Sequence, residues 1–159
     1  MRLASRQPFA RLAADSDLAN ATLQQPHDDQ REAMTGQALV LIVEDEPDVR
    51  ELIADVLAEN GYEIEVAGDG AAALELSDQR TYDLILSDLR MPKMDGAALY
   101  WALQLRHGAS MPRMIYVTGQ AHSLDYAGFL AASRVPVLSK PFSPEDLRQA
   151  VRQALNSSS

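Results

Sequence analysis

The sequence predicts an α/β domain built on a doubly wound, five-stranded parallel sheet in the order 2-1-3-4-5. Three observations carry that expectation. From Ala38 onward, apolar runs alternate with segments of helical period. The run Leu39 to Val43 is continuously apolar, as a strand covered on both faces must be. Two other runs carry the marks of sheet edges. Glu63 to Ala67 alternates polar and apolar residues, so one of its faces is wet. Val135 to Leu138 contains Pro136, which has no N–H to give a central ladder. Edges at the second and fifth strands select this strand order.

The elements follow in turn. Pro47 opens the first helix at a position where its missing N–H does no harm. Val49, Leu52, Ile53, Val56 and Leu57 recur at helical spacing on one inward face, and Gly61 marks the stop. After the second strand comes a short Ala-rich helix, Gly70 to Ser77. Leu84 to Ser87 is the third strand and Gly96 to Leu105 the third helix. Arg113 to Val117 and Leu124 to Ala132 are the fourth strand and helix. Ser143-Pro144-Glu145-Asp146 starts the last helix, with a hydroxyl cap, a proline in the first turn and acids at the positive end of the dipole. Leu147, Ala150, Val151, Ala154 and Leu155 form its inward face. Right-handed crossovers place the first and fifth helices on one side of the sheet and the other three opposite.

With 159 residues the chain has room for one full domain and a modest extension. The expected organisation is a flexible extension or linker over residues 1–37, the α/β domain over 38–156 and a short polar tail over 157–159. Phe9 to Leu23 reads as a short, weakly amphipathic helix, and Gln24 to Arg31 as solvated linker in which His27 is inert. No apolar core of secretory length follows Arg2, Arg6 and Arg11, although their company suits an organellar transit peptide as an alternative. A formal charge of -9 argues against nucleic acid as a partner, and no run approaches a membrane span. The absence of cysteine removes thiol metal sites and fits a cytoplasmic location.

The chemistry gathers where apolar runs end. Glu44 and Asp45 close the first strand and Asp88 the third, at the carboxyl ends that flank the reversal of strand order. Acids cost little at a solvent-facing strand end and a great deal inside an apolar layer, so their placement points to a site. Carboxylates about 4 Å apart repel by several kcal/mol at intermediate dielectric and need a counter-charge. All-oxygen donors suit Mg²⁺, with Mn²⁺ as a substitute; zinc is disfavoured without histidine or cysteine. Thr118 ends the fourth strand, and Lys140, one of two lysines in the chain, ends the fifth. A hydroxyl and an ammonium are the donors that steady a transferring phosphoryl group. Such a site can form an aspartyl phosphate. Taken singly, the acids could cap a helix, Asp95-Gly96 is a turn and Lys140 a surface lysine; their joint order favours the site. Tyr100, Trp101 and Phe129 are read as helix packing or partner surface.

The segment Asp88-Leu-Arg-Met-Pro-Lys-Met-Asp-Gly96, the Glu44-Asp45 pair, Val117-Thr118-Gly119 and Lys140-Pro141-Phe142 resemble the receiver domain of two-component response regulators, over roughly residues 38 to 155. The resemblance implies the flavodoxin-like receiver fold and a phosphoprotein rather than an enzyme acting on external substrates. It makes Asp88 the phosphoacceptor, with Thr118 and Lys140 contacting the phosphoryl group. Glu44, Asp45, Asp88 and the backbone carbonyl of Arg90 would hold Mg²⁺. The implied donor is a histidine kinase or a histidine phosphotransfer protein. Output would be protein–protein contact, a phosphorelay step or a phosphate sink, since a stand-alone receiver is expected.

Two positions depart from the family pattern. Val137 stands three residues before Lys140, where the family carries Tyr or Phe as a rotameric switch. Arg90, two residues after Asp88, is expected to overhang the site and shield an acyl phosphate. The alternatives are an interaction module that works without phosphorylation, a receiver fragment of a hybrid histidine kinase, and an aspartate-nucleophile phosphatase. The last lacks its second acid, because that position is Arg90.

Overall fold

The computed structural model describes residues 36–157, and Gln37 onward forms one compact unit. The expected helix over Phe9 to Leu23 and the linker lie outside the described residues. Among the described residues, five strands, β1 (Leu39–Val43), β2 (Glu63–Ala67), β3 (Leu84–Ser87), β4 (Arg113–Thr118) and β5 (Val137–Ser139), alternate with five helices. These are α1 (Pro47–Glu59), α2 (Gly70–Gln79), α3 (Gly96–His107), α4 (Leu124–Ser133) and α5 (Pro144–Asn156), with a 3₁₀ turn at Gly108–Ser110. All strand pairs are parallel, in the order β2-β1-β3-β4-β5.

The sheet separates two apolar layers. Val40 and Ile42 of β1, Leu84 and Leu86 of β3, and Ile115 and Val117 of β4 face Ile53, Val56 and Leu57 of α1 and Leu147, Val151 and Ala154 of α5. On the other side, Leu41, Val43, Ile85 and Tyr116 meet Ala73 and Leu74 of α2, Leu99 and Leu103 of α3 and Tyr126 of α4. This two-against-three division is the one the right-handed crossovers require. Tyr100, Trp101 and Phe129 form an edge-to-face cluster, with Tyr116 stacked edgewise on Phe129. The cluster joins α3 to α4 and leaves Trp101 54% exposed, so packing and surface are combined in one residue.

Three expectations shift. The last strand begins at Val137 rather than Val135, because Pro136 cannot donate to the ladder; its carbonyl still accepts the Tyr116 N–H at 2.9 Å. Leu52 is 51% exposed and belongs to the solvent face of α1 instead of the core. The second, third and fourth helices each run one or two residues beyond their expected ends. The cap on α5 is a full capping box. The Ser143 hydroxyl accepts from Asp146 N–H at 3.0 Å, and the Asp146 carboxylate accepts from Ser143 N–H at 3.1 Å. Those bonds to Ser143 hold the Asp146 carboxyl below its ordinary pKa.

Gly61 follows α1 at φ 88°, the left-handed geometry that favours glycine after a helix. Gly96 is demanded by closeness instead. A Cβ there would stand 2.4 Å from the Asp88 carbonyl oxygen and 2.8 Å from the Tyr116 ring. The Gly96 N–H donates to Leu89 O at 2.7 Å, and its carbonyl accepts the Tyr116 hydroxyl at 2.7 Å, so the backbone has no room to retreat. Gly96→Ala is therefore expected to lower stability by about 1–3 kcal/mol, the usual range for overpacking a core. Urea unfolding of both proteins measures it; an unchanged midpoint would mean that the loop yields freely.

Candidate functional site

From β1 the chain turns toward β2, and from β3 toward β4, so a crevice opens between the carboxyl ends of β1 and β3. The backbone ladder runs one residue past the strands on both sides of it. Glu44 N–H donates to Ala67 O at 3.1 Å, Asp88 N–H to Val43 O at 3.0 Å, and Lys140 N–H to Thr118 O at 3.0 Å. Each of these residues is thus held by a neighbouring strand while lying at the sheet's rim.

The rim brings Glu44, Asp45 and Asp88 together: one carboxylate oxygen from each lies within 4.8 Å of the others. Glu44 and Asp88 are buried and Asp45 is half-buried. The Lys140 ammonium donates to Glu44 Oε2 at 2.7 Å and to Asp88 Oδ2 at 3.1 Å. The second oxygens are also engaged. Glu44 Oε1 accepts Glu46 N–H at 3.2 Å, and Asp88 Oδ1 accepts Leu89 N–H at 2.7 Å. Burial pushes the Glu44 carboxyl above its ordinary pKa, against the pull of Lys140. Burial acts on Lys140 in the downward direction, but its bonds to Glu44 and Asp88 outweigh that and raise it. The ammonium therefore stays charged. Three carboxylates against one ammonium leave a local excess of two negative charges. An all-oxygen donor set with that excess fits a hard divalent cation.

Thr118 is buried at the end of β4, and its Oγ1 accepts Gln120 N–H at 3.0 Å. The hydroxyl proton is left to donate elsewhere. Among the described residues Thr118 makes no hydrogen bond to the three carboxylates. Arg90 is paired at the start of α4. Its guanidinium is 3.3 Å from Asp125 Oδ2 and 5.8 Å above the centre of the Tyr126 ring, turned toward the first turn of α4. A cation gains from a carboxylate and a ring face together. Val137 is 37% exposed on β5, level with Tyr116.

Several supporting residues went unseen in the sequence. Tyr126 is buried, with its hydroxyl 3.3 Å from Asp95 Oδ2; Asp95 Oδ1 caps α3 by accepting Ala98 N–H at 2.8 Å. Burial, then Asp95, raise the Tyr126 phenol above its ordinary pKa, so it remains a donor. Arg50 Nη1 donates to Glu44 O at 2.7 Å. One signal could have found Arg50: it is a cation in the first turns of a helix, where the dipole favours anions.

Residues 40–152 match the response regulator receiver domain family. The sensor histidine kinase RcsC of Salmonella typhi is 31% identical over 137 residues, which are 86% of this chain and 14% of that protein. The chain thus spans about one-seventh of the curated kinases that it matches. The chemotaxis protein CheY4 of Vibrio cholerae superposes with a TM-score of 0.68 at 29% identity, covering 75% of this chain and 99% of that one. The receiver domain of a sensor histidine kinase from Pseudomonas aeruginosa, with magnesium ion coordinated in its active site cleft, gives 0.70 at 27% identity over 77% of this chain and all of that one. Five parallel strands in receiver order and a family match across most of the sequence lead to one conclusion: this chain belongs to the response regulator receiver domain family.

Proposed function

We propose that Asp88 accepts a phosphoryl group from the phosphohistidine of a histidine kinase or phosphotransfer protein, in a Mg²⁺-dependent reaction, and that the result is read by protein–protein contact in the cytoplasm. The carrying observation is the Lys140 ammonium between Glu44 and Asp88, beside a third carboxylate. An Asp88 oxygen forms the new P–O bond as the donor's P–N bond breaks, and the electron pair of that bond stays with the imidazole. The cation, when bound by Glu44, Asp45, Asp88 and the Arg90 carbonyl, supplies charge neutralisation for the phosphoryl oxygens. Lys140 holds one oxygen after loosening its hold on Glu44, and Thr118 donates its free hydroxyl proton to another. The turnover is limited to the protein's own phosphorylation and dephosphorylation. Mn²⁺ serves in place of Mg²⁺. The working unit in this reading is residues 38–156.

Beryllofluoride is expected to occupy the site only with Mg²⁺ or Mn²⁺ present, and Asp88→Asn to abolish both this and labelling by acetyl phosphate. Fluorine NMR and intact-mass measurement check it. Binding without a divalent cation, or an undiminished label in the Asn variant, would remove Asp88 from its role.

A chain beginning at Gln37 is expected to melt within a few degrees of the full chain and to keep its beryllofluoride site. Calorimetry of both decides; a large fall in melting temperature would place part of the folding unit before Gln37.

Val137 bears on output. A β-branched side chain has few rotamers and short reach, so it offers no second state for Thr118 to select. Beryllofluoride is expected to move amide resonances strongly around Glu44, Asp88 and α1, and only weakly across α4, β5 and α5. A tight, phosphorylation-dependent dimer through α4 and α5, seen by sedimentation, would overturn this.

A further inference from the structure

Arg80, Arg90, Arg106, Arg148 and Arg152 each pair with a carboxylate. Arg50 forms no ion pair among the described residues, although Glu46, Asp48 and Glu51 flank it in sequence. Its Nη1 instead donates to the Glu44 carbonyl at 2.7 Å. Gly68 leaves space for it, since even a Cβ there would lie 3.6 Å from Nη1. The target of this bond is informative. Of the three clustered carboxylates, Glu44 is held by Lys140 and Glu46 N–H, and Asp88 by Lys140 and Leu89 N–H. Asp45 accepts no hydrogen bond among the described residues, so its place in the cluster depends on its backbone. A peptide is planar, and fixing the Glu44 carbonyl therefore fixes the plane from which Asp45 departs. On its other side Glu44 is already tied through its N–H to Ala67 O.

We propose that Arg50 is the positioning residue of the cation site, setting the orientation of Asp45 through the Glu44–Asp45 peptide without touching the cation. The proposal rests on the reading that the three carboxylates hold a divalent cation. Removal of a group that orients a metal ligand typically weakens metal binding by about 10–100-fold. Loss of Arg50 acts only through Asp45, so the two positions must be coupled and their effects must not add.

The test is Mn²⁺ binding to the full chain, read from the electron paramagnetic resonance of free Mn²⁺. It compares the wild type, Arg50→Ala, Asp45→Asn and the double variant, with a melting curve for each. Arg50→Ala is expected to raise the Mn²⁺ dissociation constant about tenfold in the wild-type background and to add little once Asp45→Asn is present. Wild-type affinity in Arg50→Ala, or an equal further loss in the Asn background, overturns the proposal. Should Arg50→Ala not fold, Arg50→Met keeps the packed stem without the donors and is judged by the same cycle. Absence of Mn²⁺ binding by the wild type sinks the cation-site reading itself, a result distinct from an unaffected Arg50 variant.

Discussion

The ammonium of Lys140, fixed between the carboxylates of Glu44 and Asp88, closes an electrostatic balance on which the rest of the rim depends. Two buried acids on neighbouring strands repel, and neither has water enough to screen the other. Lys140 arrives from β5, on the far side of β4 from Asp88, so one contact ties together the ends of strands that never pair. Truncating one partner of a buried pair generally costs about 3–5 kcal/mol, because the other charge stays behind. Lys140 keeps some solvent contact, 19% of its side chain, which places it toward the lower part of that range. The two apolar layers on either side of the sheet hold the strand ends still enough for this balance to exist.

Much of this was legible in the sequence because it depends on period and position. The bounds of β1, β2 and β3 follow from runs of apolar or alternating residues, and the acids are visible because they interrupt such runs at strand ends. The start of β5 was misread by two residues, since an apolar Val135 next to Pro136 looks like strand until the missing donor is placed in a ladder. Leu52 was misread because a helix face has a margin, and one residue at the margin falls either way. Arg50, Arg90 and Tyr126 were not legible at all in their contacts. A long side chain chooses among rotamers by what tertiary packing offers, and Arg90 found Asp125, 35 residues away in sequence.

That choice joins the two halves of the rim. The loop after Asp88 touches the first turn of α4 at two side chains: Arg90 reaches Asp125, and Tyr126 reaches Asp95. The same Asp95 caps α3. The loop is therefore tied to the starts of both helices by polar contacts. On β5 the aliphatic Val137 stands instead of an aromatic residue.

The outer strand β2 also has a bearing on how the protein behaves in a crowded solution. Among the described residues its far edge has no strand partner, and an open row of backbone groups invites pairing with another molecule. Glu63 and Glu65 stand on this strand, Arg80 bridges both, and the Tyr82 hydroxyl donates to Glu65 at 2.6 Å. An incoming strand would have to strip water from that charged cluster before it gained any ladder bond. The edge is thereby guarded against fibre-like growth, and molecules can meet at high concentration without zipping sheet to sheet.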